Sequence, residues 1–321
     1  MHLNLFAALF AAALPVVVPA PTGSSPINPN PTATSFTFVV AGDNRPAKDS
    51  CPQPPQLGAI VSAIASMKPA FALWNGDVIY GKDTKKAPKQ YPAFLTAIKG
   101  ANVPVFVAPG NHELTVKGSK PCKKVDEPDP SGKLAKAFAS AVGAPYGYFR
   151  YGNSAFIMVN TDDKLDPNYP SDWCNYNGFV SNAQNAALTA ALNALQADNT
   201  VAHIFVFMHR PLHGEASEDD LGPSSIPQIA TFYSTIQTPA YTKLSVVFSS
   251  HEHLFYNVGP MTRTDPQSGG PTYIVTGGAG APLSTGGSSG VYNHYLTVTV
   301  NGATVTIDVV KLPAMPSNCS S

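Results

Sequence analysis

Charge is scarce in this 321-residue chain: only 12% of its residues are charged, and 20 Lys plus Arg balance 20 Asp plus Glu to a formal net charge of zero. A sparsely and evenly charged surface has no global electrostatic footprint for a nucleic acid polymer or an anionic membrane, so neither is expected as a partner. The four cysteines (Cys51, Cys122, Cys174 and Cys319) contain no C-x-x-C pair, which argues against a zinc knuckle or a thioredoxin-type site. No internal repeat is visible. Beyond residue 20 no apolar run approaches a transmembrane length, so stable membrane insertion is not expected. Glycine and proline are plentiful instead (25 and 31), which calls for many turns and long loops and excludes a helical bundle. With 44% hydrophobic residues, the length fits one large α/β core.

Met1 to Ala20 is an apolar run broken at Pro15 and Pro19, followed by a Pro/Ser/Thr/Asn-rich linker over 21–34. This pattern predicts a secretory signal peptide and a secreted or periplasmic destination, an uncleaved anchor being the alternative. Scattered loop cysteines behind an export signal suggest two disulfides. Three pairings exist, and Cys51 with Cys122 and Cys174 with Cys319 is the one favoured. The folded domain is expected over 35–312, with a tail at 313–321.

Apolar β-branched runs alternate with helical patterns from Ser35 onward. Strands are expected at 35–41, 70–74, 103–107, 148–151, 155–160, 201–208 and 244–249, and again at 272–275, 292–300 and 304–310. Helices are expected at 57–67, 91–98, 133–142 and 181–196. The last of these carries a Ser181/Gln184 capping box and Leu188, Leu192 and Leu195 at helical spacing. Alternation at the front and strands at the back predict two mixed sheets face to face with helices outside, a four-layer α/β/β/α sandwich.

Five of the strands end in residues that bind metals. They run into Gly42-Asp43-Asn44-Arg45, Gly76-Asp77-Val78-Ile79-Tyr80, Gly110-Asn111-His112-Glu113, His209, and Ser250-His251-Glu252-His253. Ligands in open α/β sheets bind beyond the carboxyl ends of strands. One such motif is ordinarily a turn or a core histidine, but five in succession, each directly after a strand, form a metal-site inventory.

These motifs, in this order, resemble those of the calcineurin-like metallophosphoesterases, and Gly76-Asp77-x-x-Tyr80 resembles the purple acid phosphatase branch. The resemblance covers about Phe36 to His253. It departs from the family at Arg45, where other branches carry His or Gly, and at Ser250, where Gly is usual. The resemblance implies a two-metal phosphoester hydrolase. One ion would take Asp43, Asp77, Tyr80 and His253, and the other Asp77, Asn111, His209 and His251, with Asp77 bridging. Arginine has no acceptor, so Arg45 cannot be a ligand; it would contact the phosphate as a planar fork, or else pair with a carboxylate. Tyr80 would supply a phenolate in its stead, a water ligand being the alternative.

Oxygen and nitrogen donors without thiolate suit iron, manganese or zinc. The cations would neutralise a small phosphorylated substrate and acidify a water, whose hydroxide attacks a phosphomonoester in line. A phosphodiester of a nucleotide or lipid headgroup is the alternative substrate, and a silent binding protein the alternative class. His112 would stabilise the transition state or protonate the leaving oxygen, and His213 would assist as a second acid. Glu113 and Glu252 read as supporting groups, and His203 as structural. The aromatic residues Tyr169, Trp173, Tyr176 and Phe179 suggest a stacking rim.

Overall fold

Ser35–Ala41 (β1) shows how the core is specified. Phe36, Phe38 and Val40 face one way and Val39 and Ala41 the other, and they enter two different apolar clusters. The computed structural model describes residues 32–117, 126–163, 177–215, 221–222, 224, 226–264, 269–285 and 290–319. The predicted signal peptide, nearly all of the linker, Cys122, Cys174, Tyr169, Trp173 and Tyr176 lie outside the described residues.

After β1 come α1 (Pro55–Met67), β2 (Ala72–Trp74), α2 (Tyr91–Ile98), β3 (Val105–Val107) and the single turn α3 (Asn111–Leu114). A small hairpin of β4 (Thr115–Lys117) and β5 (Asp126–Pro128) leads into α4 (Lys133–Ala141), β6 (Gly147–Tyr151), β7 (Ser154–Met158), α5 (Asn182–Ala197) and β8 (His203–Phe207). The chain closes with α6 (Pro227–Ile236), β9 (Leu244–Ser249), β10 (Phe255–Val258), β11 (Thr262–Arg263), β12 (Thr272–Thr276), β13 (His294–Asn301) and β14 (Thr304–Lys311).

Two six-stranded mixed sheets result, ordered β11-β14-β13-β1-β2-β3 and β10-β12-β9-β8-β7-β6. In the first, β1, β2 and β3 are parallel and β13 is antiparallel to β1. In the second, β7, β8, β9 and β12 are parallel. The sheets pack through an aromatic layer in which Phe38 stacks on Phe71 at 5.3 Å and Phe106 on Phe149 at 3.8 Å. Helices α1, α2 and α4 cover the outer face of the first sheet, and α5 and α6 that of the second. The four-layer expectation holds. Among the described residues no helix is long and apolar enough to cross a membrane.

Three local expectations need correction. The first is α6, since no helix was expected between the strands at 201–208 and 244–249. Its Pro227 sits at the first turn, and Ile229, Phe232 and Ile236 form a buried stripe. The second is the capping box of α5, which is half built. The Ser181 hydroxyl accepts the Gln184 N–H at 3.2 Å, but the Gln184 side chain bonds both backbone groups of Asn160 instead of reaching back. The third is the disulfide. Cys51 joins Cys319, so both favoured pairings are wrong. Cys51 follows the first site motif and Cys319 ends the tail, and only the tertiary fold brings two such distant residues together.

His294, at the start of β13, is fully buried. Its Nδ1 lies 2.9 Å from the Tyr292 carbonyl and its Nε2 3.1 Å from the Thr276 hydroxyl. Burial pushes its pKa down to about 4 from 6.5. The neutral ring therefore contributes stability that is complete above about pH 6.5 and lost as pH falls towards 4, on the order of 3 kcal/mol. Urea unfolding between those pH values should show this loss, and His294→Gln should make the slope shallower. Equal slopes in the two proteins would remove His294 as the source.

Candidate active site

The strand ends that carried the motifs converge at one edge of the sandwich. Asp43 after β1, Asp77 after β2 and His251 after β9 all have left-handed backbones, with φ of 59°, 52° and 74°. Non-glycine residues adopt this conformation at a cost of about 1–3 kcal/mol each, which marks positions held for something other than stability. Two glycines permit the close approach. A Cβ on Gly76 (φ 83°) would lie 2.6 Å from the Gly110 nitrogen, and one on Gly110 would lie 2.3 Å from Asp77 Oδ1. Ser250 changes more than backbone freedom. Its hydroxyl fills the space a side chain at Gly42 would need and donates to the Thr276 carbonyl at 2.9 Å.

One cluster gathers Asp43, Asp77 and His253, whose donor atoms all lie within 4.8 Å of one another. His253 Nδ1 donates to the Pro282 carbonyl at 2.5 Å, leaving the Nε2 lone pair facing Asp43 Oδ1 at 3.9 Å. Asp43 Oδ1 is buried and has no hydrogen-bond partner, while Oδ2 accepts the His251 N–H at 2.7 Å. A second cluster surrounds His209. Its Nδ1 donates to the Asn75 carbonyl at 2.8 Å, so the Nε2 lone pair points at Asn111 Oδ1 (2.9 Å) and Asp77 Oδ1 (3.3 Å). His251 Nδ1 lies 3.1 Å from the same nitrogen. Asp77 belongs to both clusters.

The electrostatics are those of a cation site. Burial, then the charge of Asp77, pushes the Asp43 carboxyl well above its usual range. Burial holds His209 and His253 down at about 4, so both imidazoles are neutral donors. An orphaned carboxylate oxygen among neutral imidazole lone pairs fits a metal, and oxygen and nitrogen donors without sulfur fit a hard or borderline ion.

Arg45 Nε lies 3.4 Å from Asp77 Oδ2, so the carboxylate pairing weighed for it is present. The His112 N–H donates to Asp77 Oδ1 at 3.0 Å, its Nδ1 is bonded to the Tyr80 carbonyl, and its Nε2 lies 3.7 Å from Asp77 Oδ2. Tyr80 thus joins the site through its carbonyl. Its ring packs edge-on to His112 and lies beneath the Lys117 ammonium, 5.7 Å from the centroid. His213 points elsewhere. It is bonded to Gln237 at 2.8 Å and packed against Tyr273 and Tyr233 on the outer face of the second sheet.

Several contributors were missed in the sequence. Asp126 is bonded to the Asn111 amide and pairs with Lys82 at 2.7 Å, which aims Asn111 Oδ1 at His209. Arg210 pairs with Asp162 at 2.9 Å and places Nη1 3.1 Å from His251 Nε2. Asp162 stands four residues past the end of β7, so a strand-end signal was available for it; Asp126 begins the short strand β5 in a polar stretch that carries no signal.

Glu113 is a clamp. Its two oxygens accept the N–H groups of Asp77 (2.8 Å), Val78 (2.9 Å), Ile79 (3.2 Å) and Gly110 (2.7 Å), tying the second motif to the third. Burial and Asp77 push its carboxyl up to about 8, while the N–H donors favour the ionised form. Glu113→Gln turns an NH₂ towards two of these donors and should lower the unfolding free energy by roughly 2–5 kcal/mol. Chemical unfolding of both proteins in one metal state checks this, and a difference under about 0.5 kcal/mol would deny the clamp any weight.

Among solved structures, the chain is similar to a purple acid phosphatase from yellow lupin (Lupinus luteus) seeds, with TM-score 0.61 and 16% identity over 88% of this chain and 52% of that one. It therefore spans about half the length of the lupin protein. A dimetal phosphatase from Danio rerio matches with TM-score 0.56 and 15% identity, over 87% of this chain and 99% of that one. An anchor protein of the Plasmodium inner membrane complex matches with TM-score 0.53 and 13% identity, over 87% and 85%. At such identities the likeness concerns the fold. No curated protein sequence matches the chain. The family profile of the calcineurin-like phosphoesterases covers residues 36–255, from the second residue of β1 to just past His253, and the chain belongs to that family of metal-dependent phosphoester hydrolases.

Proposed function

We propose that the protein is an exported phosphomonoesterase with two metal ions, iron, manganese or zinc. Asp43, Asp77, Tyr80 and His253 would hold one ion, and Asp77, Asn111, His209 and His251 the other. The observation that carries this reading is the pair of donor clusters sharing Asp77, with Asp43 Oδ1 buried and unpartnered in one of them. When bound, the metals supply charge neutralisation of the phosphoryl oxygens and a water acidic enough to ionise near neutral pH.

The chain's own residues do the rest. Two buried carboxylates would repel a phosphate unless neutralised, so substrate binding depends on the ions that Asp43 and Asp77 retain. Arg45 lies against Asp77 Oδ2, where its planar fork is available to an anion at the same place. His112 carries its proton on Nδ1, which leaves Nε2 as an acceptor that can take a proton from water and pass it to the leaving ester oxygen. Export is supported by the apolar N-terminal run and by the Cys51–Cys319 bridge, which persists in oxidising compartments.

The test joins metal analysis with an ester panel. Reconstituted protein should hold two ions per chain and turn over monoesters in preference to diesters. A stoichiometry of zero or one would sink the two-metal reading, and a preference for diesters would overturn the substrate class. If the protein holds ferric iron, Tyr80→Phe should abolish a visible phenolate band. Iron-loaded wild type without such a band would show that Tyr80 is not a ligand.

A further inference from the structure

A cavity of about 260 Å³ is walled in part by segments that adjoin the metal-ligand cluster, and none of the roles proposed above uses it. Two of its walls grow directly out of the site. Pro46 follows Arg45, and the segment Gly280–Leu283 is bound to the cluster by its backbone. In that segment the Ala281 N–H donates to the Asp43 carbonyl at 2.7 Å and the Pro282 carbonyl accepts from His253 Nδ1 at 2.5 Å. The Ser284 N–H then donates to the His253 carbonyl at 3.1 Å.

The third wall is the C-terminal tail, with Met315, Asn318 and Cys319 on the cavity. The tail is fastened twice, by the Cys51–Cys319 bridge and by the Asn318 amide donating to the Gln53 carbonyl at 2.8 Å. Gln53 in turn accepts from the Asn44 amide at 2.7 Å, and Asn44 accepts the Trp74 indole N–H at 2.6 Å. The tail is thereby tied to the residue between Asp43 and Arg45.

The lining is uncharged throughout. Pro46, Pro52, Pro54, Pro55 and Pro282 give it flat apolar faces beside neutral polar groups such as Ser317 and Asn318. Its amides are largely spent on the protein: Gln56 donates to Asn293 at 3.2 Å, and Asn293 donates to the Gly278 carbonyl at 3.1 Å. An arm carrying further phosphates or carboxylates would find no counter-charge there and would lose its hydration. The volume lies just under the roughly 300–1,000 Å³ of small-molecule sites, which admits one or two rings and no long lipid chain.

Resting on the phosphoesterase reading, we infer that this cavity is the subsite for the ester's alcohol arm, that the arm is an uncharged ring system, and that the disulfide-fastened tail forms the subsite's outer wall. Substrate preference is then set by a segment outside the region matched to the family, residues 36–255.

Two non-hydrolysable ligands, methylphosphonate and 1-naphthylmethylphosphonate, test this by calorimetry on zinc- or manganese-reconstituted full-length protein. Wild type should bind the naphthyl ligand at least about ten-fold more tightly, since burial of one ring system is worth more than that factor. A chain ending at Leu312 and the cavity-filling Met315→Trp should each reduce the preference to about two-fold or less. Equal affinities in wild type, or a preference that survives in both variants, would overturn the inference. Should the truncated chain fail to fold, Met315→Trp decides alone. Turnover of methyl phosphate, measured in parallel, tests the phosphoesterase reading separately: no turnover with the naphthyl preference intact would remove that reading and leave the ring-binding cavity in place.

Discussion

Asp77→Asn should reduce kcat by at least roughly 10³-fold and bring the metal content below two ions per chain. Asp77 stands between the two donor clusters. Oδ1 lies 3.3 Å from His209 Nε2 and accepts the His112 N–H, while Oδ2 lies 3.4 Å from Arg45 Nε. An amide keeps the size of the carboxylate but loses the charge, and it presents an NH₂ group to one of these sides. The backbone contributes nothing to the expected loss. Asp77 sits at φ 52°, and Asn occupies left-handed conformations as readily as Asp.

Misfolding can be separated from the chemical effect. Removing the Asp77 charge relieves its repulsion of Asp43 and Glu113, but, burial notwithstanding, His112, His209 and Arg45 hold the Asp77 carboxyl well below its usual range, so Asn forfeits those attractions. Circular dichroism and melting of the metal-free variant beside metal-free wild type should show a folded protein at the assay temperature, and an unfolded variant would leave the activity loss to misfolding. Retention of more than about a tenth of the activity would refute the bridging role, and a variant with two tightly held ions would do the same.

The fold was legible because each level of the sequence agreed with the next. β1 alternates Phe36, Phe38 and Val40 against Val39 and Ala41, and both sets are buried, as a strand between a helix layer and a second sheet requires. The donors were legible for a related reason: a polar residue after an apolar strand stands where the sheet stops, and Asp43, Asp77, Asn111, His209 and His251 all do. What stayed hidden depends on distances that no local pattern encodes. Cys51 meets Cys319 across 268 residues, and Asp126 reaches Asn111 from a hairpin whose strands are three residues each. His213 had the opposite fault. Four residues after His209 it looked close to the site, but the chain turns after Pro211 and delivers it to Gln237 and Tyr273. Helix α6 was not expected from the sequence, although Pro227 at its first turn is a start signal.

His112→Ala should keep both metals and the fold while kcat falls by roughly 10²–10⁴-fold. The backbone N–H of residue 112, which holds Asp77 Oδ1 at 3.0 Å, is unaffected by the change, so the bridging carboxylate stays in place. What is lost is the ring. Its Nδ1 is committed to the Tyr80 carbonyl, and its Nε2 stands 3.7 Å from Asp77 Oδ2 at the edge of the cluster. Burial pushes the imidazole down to about 3, so the resting ring is neutral, with a lone pair towards the site. Once Nε2 has taken up a proton from water, the ring can pass that proton to an alkoxide leaving group or hold it against a phosphoryl oxygen. These two actions depend differently on the ester. Proton transfer matters most for alkyl esters, whose leaving groups are strong bases, and least for nitrophenyl esters, whose leaving group departs as a stable anion. Steady-state kinetics of the variant on both ester classes should therefore show the larger loss on alkyl esters. Equal losses would assign His112 to phosphoryl charge and take the proton from it, and a missing metal would place its ring among the ligands.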